Sequence, residues 1–457
     1  MKKAVLYAID LLLIIMSTTA HAQNSEKKLI EFGWDYPTVE YLKKNIIQME
    51  KTPFDGVVFS LDFKVYNAFD TLRFPDSVFQ FYQLTKIPWK KFTDNFIFVR
   101  GESLNGAQWL NDKAWDNISE NIKNISKAVF ASKAKGILFD PEYYIPDSTR
   151  NPWTFSSSLY PGLSYEQVGA SVKKRGKQFI QSLQTYSPDI KILFTWMLGL
   201  VSAQNRLLPI QKTGMALIPF FIEGILDGSN GKSELIDGNE FSYGYMESAH
   251  FIWAGERIRN DAKKYIKNNY QSQISKVSIA QAVYFDGIMA TSAVFNKGYD
   301  SATKKRWLKE NLYNALKTTD KYVWFYNEKI NWWKNQVDSG ISKLITDVKD
   351  RINSEFDVMN HSSSISKSFS RYEFRNGNTE VRPGSALYNP STNILKIYAG
   401  TSSFTSIELY KNSRLIFTKE DPPINFEIDL NGTYDRSGNL IIVTKLSNGM
   451  IGRVYLN

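Results

Sequence analysis

Short apolar stretches alternate with amphipathic helical stretches from Lys28 to about Phe356. The stretch Gly136–Phe139 is apolar throughout, as in a strand that a parallel sheet buries on both faces. Between two such stretches, Trp115–Lys133 carries apolar residues at helical spacing. The predicted strands are Lys28–Asp35, Asp55–Leu61, Asn95–Val99, Gly136–Phe139, Lys191–Leu198, Ser233–Asp237, Val277–Phe285 and Lys321–Tyr326.

Eight strand-then-helix units in succession predict a closed (β/α)8 TIM barrel. A doubly wound open sheet is the alternative fold. It seldom needs eight repeats, and the sequence has neither of the glycine-rich phosphate-binding motifs that would bind a nucleotide in such a sheet.

The composition changes after Asn360, where short stretches of alternating polarity follow a serine-rich segment. Turn signals such as Asn431-Gly432 and Asn448-Gly449 separate several of these stretches, which predicts a small antiparallel β-sandwich. We therefore expect four regions in the chain. They are a signal peptide (1–22), the barrel (23–358), a linker (359–386) and a β-sandwich accessory domain (387–457).

The N-terminus has the pattern of a secretory signal peptide. Lys2 and Lys3 precede the apolar run Leu11–Met16 and a small-x-small cleavage signal that ends at Ala22. The run is too short to span a bilayer, so we expect no membrane span. The absence of cysteine excludes disulfides and a thiol nucleophile. Together these features predict a secreted or periplasmic protein.

Charge and histidine content narrow the classes of partner and cofactor. The formal net charge of +10 comes from scattered basic residues on helix faces, which does not favour nucleic acid as a partner but leaves a weak attraction to acidic glycans open. Outside the signal peptide only His250 and His361 remain, too few for a histidine metal centre. We expect no metal and no cofactor.

The residues that follow the fourth strand are the leading catalytic candidates. Asp140 and Glu142 come directly after Phe139, with Pro141 between them. Because proline cannot donate a backbone hydrogen bond, the strand should stop here and Glu142 should project above it. In parallel sheets and barrels, the chemistry lies where the strands end.

Other polar and aromatic residues lie at the ends of the remaining predicted strands, and a barrel would bring them to one mouth. They are Trp34, Asp35, Asp62, Arg100, Tyr143, Trp196, Asp237, Glu240, Tyr243, Asp286 and Glu328. Hydrolysis of a glycosidic bond needs one carboxylic acid and one carboxylate, and aromatic rings stack on the faces of sugars. The predicted function is therefore that of a secreted glycoside hydrolase, with an oligo- or polysaccharide as its carbohydrate substrate.

The chain resembles the (β/α)8 glycoside hydrolases over about Leu29–Phe356. Its motif Gly136–Glu142 is similar to a shortened form of the chitinase-type signature, in which an Asp assists a Glu acid/base two residues later. That resemblance implies that the substrate's own acetamido group is the nucleophile. It also implies that Tyr243 and Trp324 complete the site.

The sequence also resembles the α-galactosidase-type barrels, which place one carboxylate after strand four and another after strand six. That resemblance implies Asp140 or Glu142 as nucleophile and Glu240 as acid/base. Gly238 supports it, because glycine frees the backbone to turn Glu240 into the mouth.

Our first hypothesis assigns general acid/base catalysis to Glu142, supported by Asp140, with Glu240 as the opposing carboxylate. Glu328 and Asp286 are reserve carboxylates. The substrate-binding candidates are Trp34, Asp35, Arg100, Tyr143, Trp196, Asp237, Tyr243, Asp286 and Glu328.

Two other functions stay open at this stage. The same aromatic mouth would serve a non-catalytic glycan-binding protein on a TIM-barrel scaffold. The carboxylates would also suit a divalent-metal phosphoesterase or amidohydrolase, which the low histidine content makes the weaker hypothesis.

Overall fold

The structure is a computed structural model that describes most of the chain. The described residues are 26–61, 67–103, 106–145, 150–204, 209–245, 248–274, 276–290, 300–334, 336–361, 365–368, 372–373, 379–380, 385–389, 392–398, 404–420, 425–435, 440–446 and 451–456. The predicted signal peptide 1–22 and the candidate Asp62 lie outside them. Within the described part, no helix combines the length and apolar character needed to cross a membrane.

Parallel strands form one sheet in the order β7-β6-β5-β4-β3-β2-β1-β9-β8. The strands are β1 (Lys28–Gly33), β2 (Gly56–Phe59), β3 (Phe96–Arg100), β4 (Gly136–Asp140), β5 (Lys191–Phe194), β6 (Glu234–Asp237), β7 (Ser278–Ile279), β8 (Gln281–Tyr284) and β9 (Tyr322–Asn327). β7 pairs with β6, whereas β8 pairs with β9, and Ala280 alone separates β7 from β8. The seventh predicted strand is therefore split between the two edges of the sheet, and it joins them into a (β/α)8 barrel.

Helices follow the strands as the sequence pattern predicts. They are α1 (Val39–Met49), α2 (Phe81–Leu84), α3 (Asp112–Ser132), α4 (Tyr165–Leu183), α5 (Leu198–Gln204), α6 (Ile218–Gly228), α7 (Ser248–Arg259), α8 (Gln271–Ile274), α9 (Phe285–Met289), α10 (Ser301–Thr318) and α11 (Ser339–His361). Side-chain caps fix several helix starts. Ser164 and Gln167, for example, form a capping box at α4.

Side chains alternate between the inside of the barrel and the layer between the strands and the helices. On β1, Ile30 and Phe32 belong to the buried cluster inside the barrel, whereas Leu29 belongs to the cluster beneath the helices. The same two-residue period places Leu138 of β4 and Trp324 of β9 inside. This period decides which strand-end residues face the mouth.

The fifth strand is shorter than predicted, because the chain leaves the sheet after Phe194 and α5 begins at Leu198. The carboxylate of Asp237 accepts a hydrogen bond of 2.9 Å from the backbone N–H of Gly199, in the first turn of α5. As a result, Trp196 lies in a loop at the mouth instead of within the strand.

The C-terminal strands form two antiparallel sheets with a common core, as the predicted β-sandwich requires. They are β10 (Ile365–Ser368), β11 (Tyr372–Glu373), β12 (Thr379–Glu380), β13 (Ser385–Asn389), β14 (Ile394–Tyr398), β15 (Phe404–Lys411), β16 (Arg414–Glu420), β17 (Asn425–Asp429), β18 (Leu440–Leu446) and β19 (Ile451–Leu456). The stretch 359–386, predicted as a linker, contains β10, β11 and β12, which pair with strands of these sheets.

Candidate active site

The end of β4 holds Asp140 in a fixed, buried position. Its side chain is 4% exposed. Oδ1 accepts hydrogen bonds from the backbone N–H of Glu142 at 3.0 Å and from the hydroxyl of Thr195 at 3.1 Å. The strand ends at Asp140, immediately before Pro141, as expected from the missing proline N–H. Asp140 therefore fixes the backbone from which Glu142 projects.

Tyr144 connects the two carboxyl groups of this segment. Its hydroxyl oxygen lies 2.6 Å from Oε2 of Glu142 and 3.0 Å from Oδ2 of Asp140. A phenol has one proton, so it can donate fully to only one of the two groups. The arrangement is satisfied when one carboxyl group is ionised and the other carries a proton that it donates to the phenol oxygen.

Arg100, at the end of β3, supports Tyr144 from below the ring. Its guanidinium carbon lies 4.0 Å from the centroid of the Tyr144 ring, and Nη2 lies 3.1 Å from Oε1 of the buried Glu102. Glu102 also accepts a hydrogen bond of 3.2 Å from the backbone N–H of Tyr144. The predicted candidate Arg100 is thus at the mouth, where it orients Tyr144.

A sharp turn after β6 brings Glu240 to the mouth. Asn239 has left-handed backbone angles (φ 45°, ψ 57°), and a short 3-10 turn, Glu240–Gly244, follows it. A Cβ on Gly238 would lie 2.1 Å from the carbonyl oxygen of Phe194, so only glycine fits at this close approach. The backbone N–H of Glu240 then donates to the carbonyl of Thr195 at 3.1 Å.

Burial and neighbouring negative charge shift the pKa values of two carboxyl groups in the site. Burial, and then the charges of Asp140 and Glu142, raise the pKa of Glu240 well above its usual value. Burial raises the pKa of Asp140 to about 6, against the hydrogen bond from the Glu142 N–H, which lowers it. Glu240 is therefore the carboxyl group whose surroundings most favour a retained proton.

Two cavities open at this end of the barrel. We call the one of about 410 Å³ the tyrosine cavity, because Tyr36, Tyr144, Tyr243, Tyr284 and Tyr326 line it. We call the one of about 520 Å³ the tryptophan cavity, because Trp153 and Trp196 line it. Glu142, Glu240 and Tyr243 line both cavities, so they lie where the two cavities meet.

Many of the predicted site residues lie in the walls of these cavities. Trp34, Arg100, Asp140 and Glu328 line the tyrosine cavity, and Tyr143 and Trp196 line the tryptophan cavity. Trp34 is 59% exposed and therefore presents most of its ring to a ligand.

Three predicted candidates line neither cavity, and their carboxylates hold backbone instead. Asp35 accepts hydrogen bonds from Asn327 Nδ2 at 2.7 Å and from the N–H of Trp332 at 2.9 Å. Asp237, which is buried, accepts from the N–H groups of Gly199 and Asn239. The strand period accounts for Asp237, because Ile236 points inward and its neighbour on β6 therefore points outward, whereas Asp35 lies in the turn after β1, which ends at Gly33.

The third of these candidates, Asp286, lies in the first turn of α9. Its Oδ2 accepts from the N–H of Glu328 at 2.6 Å and from the N–H of Lys329 at 2.7 Å. It therefore fixes the loop after β9 that carries Glu328.

The chitinase-type resemblance implied a role for Trp324, but this residue does not reach either cavity wall. Trp324 is fully buried inside the barrel, and its indole N–H donates to the carbonyl of Gly238 at 2.8 Å. It packs against Tyr243, with ring centroids 5.2 Å apart. Trp324 thus supports the turn that carries Glu240.

Sequence reasoning missed several residues of the tyrosine cavity, and those with polar side chains are Tyr36, Tyr144, Thr195, Tyr284 and Tyr326. The last three lie two residues after an inward-facing residue of their own strand, at positions 193, 282 and 324. The two-residue period of a strand would have found them once one inward residue was known. Tyr144 lies in the loop after β4 and carried no such signal.

Comparisons with known proteins find similar folds but no related sequence. No protein-family model matches the chain, and no curated protein sequence matches it significantly. Several of the similar solved structures are glycoside hydrolases. Bacteroides uniformis beta-glucuronidase has 9% identity and a TM-score of 0.37, with 95% of this chain covering 46% of that one, so this chain spans less than half its length.

Two further solved structures illustrate the range of the similarity. A GH18 chitinase from the chitin utilization locus of Flavobacterium johnsoniae has 11% identity and a TM-score of 0.31, covering 72% of this chain and 96% of that one. A D-allulose 3-epimerase from Methylomonas sp. has 9% identity and a TM-score of 0.35, covering 72% of this chain and 98% of that one. At these TM-scores the similarity carries no argument about the reaction, which has to come from the site itself.

Proposed function

We propose that this protein is a glycoside hydrolase that acts on an oligo- or polysaccharide. The glycosidic bond that it cleaves would lie between the carboxyl groups of Glu142 and Glu240. The observation that carries the proposal is that both carboxyl groups line both cavities. A glycosidic bond placed at this junction would have a sugar in each cavity and a carboxyl group within reach of the bond. Hydrolysis requires such a pair across the scissile bond.

Glu240 fits the role of general acid. Its pKa is raised by burial and by the charges of Asp140 and Glu142, so it retains a proton that it can give to the leaving glycosidic oxygen. Glu142, to which the hydroxyl of Tyr144 can donate, fits the role of the ionised partner. It would attack the anomeric carbon or take a proton from the attacking water.

This assignment corresponds to the α-galactosidase-type alternative more closely than to the assignment of Glu142 as acid/base. Asp140 supports it from below, because its Oδ1 accepts the backbone N–H of Glu142. Trp34 supplies an exposed aromatic face on which a sugar ring would stack, and Trp196 and Tyr243 line the cavities with ring atoms. The N-terminal sequence pattern supports a secreted or periplasmic location for this activity.

Leaving-group chemistry tests the two roles separately. We would prepare Glu240→Gln and Glu142→Gln and assay each on polysaccharides and on aryl glycosides with 4-nitrophenyl and 2,4-dinitrophenyl leaving groups. A dinitrophenolate leaves without a proton, so Glu240→Gln should keep most of its kcat/KM on that substrate and lose 10²- to 10⁴-fold in kcat/KM on polysaccharides. Glu142→Gln should lose activity on both.

Glu166→Gln, an exposed carboxyl in the first turn of α4, is the matched control and should behave as the wild type. Equal activity of Glu142→Gln and wild type on a cleaved polysaccharide would refute the assignment. If the wild type binds oligosaccharides and cleaves none of them, the protein is a glycan-binding protein that uses the same cavities.

A further inference from the structure

The two cavities differ in charge from the protein as a whole. The chain has a formal net charge of +10, which by itself favours acidic partners. Among the described residues that line the cavities, however, the carboxyl groups are those of Asp140, Glu142, Glu240 and Glu328, of which Glu240 favours its neutral form, and only Arg100 is basic. A bound sugar would meet this local charge at contact distance, where it outweighs charges that solvent screens.

Arg100 does not offset this excess of acid. Glu102, itself buried, takes up the charge of the guanidinium through the contact of 3.1 Å at Nη2. The ring of Tyr144 covers the guanidinium face at 4.0 Å. A guanidinium binds a carboxylate or sulfate most strongly when it presents two N–H groups side by side, and the contacts of Arg100 with Glu102 and with the Tyr144 ring leave it less able to do so.

Glu328 extends the acidic wall to the rim of the tyrosine cavity. The backbone N–H groups of Glu328 and Lys329 donate to the buried carboxylate of Asp286, which fixes this part of the loop. The hydroxyl of Tyr326 lies 3.5 Å from Oε1 of Glu328, and the exposed ring of Trp34 lies in the same cavity wall. A carboxylate beside aromatic faces accepts hydroxyl or ammonium donors and repels anions.

We propose that the sugar bound in the tyrosine cavity is neutral or carries a basic amino group, and that this cavity excludes sugars bearing carboxylate or sulfate. This inference names the substrate class of the proposed hydrolase and rests on that function for its biological meaning. Its electrostatic content is independent of catalysis, so it is testable without a known substrate.

The first test measures the charge at the cavity with small ions. Fluorescence of Trp34 is isolated as the difference between the wild type and Trp34→Phe, and is quenched with caesium and with iodide, each normalised to a free tryptophan amide. We expect caesium to quench Trp34 at least twofold more efficiently than iodide at low ionic strength. The preference should decrease in Glu328→Gln and at high salt. A preference for iodide, as the net charge of the whole chain would give, overturns the inference.

The second test compares sugars that differ only in charge. These measurements use Glu240→Gln, which prevents turnover of polysaccharides. Glu240 already favours its neutral form, so replacing it with glutamine changes the charge of the cavity less than replacing Glu142 would. Binding of cello-oligosaccharides, of their C6-oxidised uronate counterparts, and of chitin and chitosan oligosaccharides is measured by calorimetry.

Where a neutral or basic member of a pair binds, we expect the acidic member to bind at least tenfold more weakly. Equal or tighter binding of the acidic member overturns the inference while leaving the proposed function intact. If no sugar binds and the wild type cleaves none, the proposed function fails, and the quenching result alone decides the charge of the cavity.

Discussion

The hydroxyl of Tyr144 lies 2.6 Å from Oε2 of Glu142, and the phenol ring that carries it stacks on the guanidinium of Arg100. The same oxygen lies 3.0 Å from Oδ2 of Asp140. One phenol therefore couples the positions of the two carboxyl groups that follow β4. The arrangement depends on a single hydroxyl group, which can be removed without changing the ring.

Tyr144→Phe should lower kcat by about 10- to 100-fold, because Glu142 loses the bond that fixes its orientation. KM should change little, since the ring stays in the cavity wall. Steady-state kinetics on a cleaved substrate measure this split. Tyr82→Phe, which removes a hydroxyl from an exposed ring, is the control and should leave both constants unchanged. A large rise in KM with unchanged kcat would contradict the positioning role.

Asp140→Asn should move the alkaline limb of the pH profile to lower pH. Burial raises the pKa of Asp140 to about 6, so Asp140 is ionised on the alkaline limb, where its negative charge raises the pKa of Glu240. Removal of that charge lowers the pH at which Glu240 loses its proton. The profile of kcat/KM between pH 4 and 10 measures the shift. Thr195→Val removes a hydrogen bond to Asp140 but keeps the charge, so its alkaline limb should stay in place. An unmoved limb in Asp140→Asn would argue against Glu240 as the acid.

Gly238→Ala should displace Glu240 and lower activity by at least about 100-fold. The added Cβ would lie 2.1 Å from the carbonyl oxygen of Phe194 and 2.8 Å from that of Thr195, so the turn has to move. Unfolding free energy should fall by more than about 1 kcal/mol. In the control Gly255→Ala, on α7, the nearest atom is 3.4 Å from the new Cβ. That change should leave activity intact and stabilise the helix by up to about 1 kcal/mol.

Glu31→Gln should stabilise the protein at alkaline pH and have little effect near pH 4. Burial, and then the charge of Asp35, raise the pKa of Glu31 well above its usual value. Below the pKa that Glu31 has in the unfolded protein, the carboxyl group is protonated in both states and does not lower stability. As the pH rises from there through the higher pKa of the folded protein, the wild type loses stability. Glutamine has no proton to lose. Thermal unfolding from pH 4 to 9 should show a gain in Tm of a few degrees that grows with pH.

Glu26→Gln, at an exposed position, is the control for the preceding experiment and should show no such pH-dependent gain. A constant difference in Tm between Glu31→Gln and wild type at every pH would show that the pKa of Glu31 is the same in the folded and the unfolded protein, which would contradict the raised pKa.

Asp286→Ala should destabilise the fold by about 1–3 kcal/mol and raise KM, because the N–H groups of Glu328 and Lys329 lose their acceptor. Asp286→Asn keeps one acceptor oxygen and should cost less. Urea denaturation measures the difference. Asp338→Ala removes an exposed carboxylate from the N–H of Gly340, where water replaces it, and should have a small effect. Equal effects of Asp286→Ala and Asp338→Ala would contradict the anchoring role.

The sequence by itself determined the barrel and the chain positions at its mouth. Continuous apolar stretches such as Gly136–Phe139 predict buried parallel strands, and their ends predict where polar residues gather. The two-sheet C-terminal part followed from its alternating pattern and turns. The short strands β10, β11 and β12 were missed because two to four residues give too little alternation to recognise.

Only the tertiary structure decided which carboxyl groups face the cavities and what each can do. Asp140 and Asp237 both end a strand, yet Asp140 lines the tyrosine cavity and Asp237 holds the backbone of α5. Side chains on a strand alternate between the two faces, so a shift of one position reverses the direction in which a side chain points. Asp140 lies two residues after the inward-facing Leu138, whereas Asp237 lies one residue after the inward-facing Ile236. The pKa of Glu240 likewise depends on burial and on charges from β4, about one hundred residues away in sequence. Local sequence shows neither the direction in which a strand-end carboxyl group points nor the pKa of Glu240. Both are set only when the strands close around a common interior.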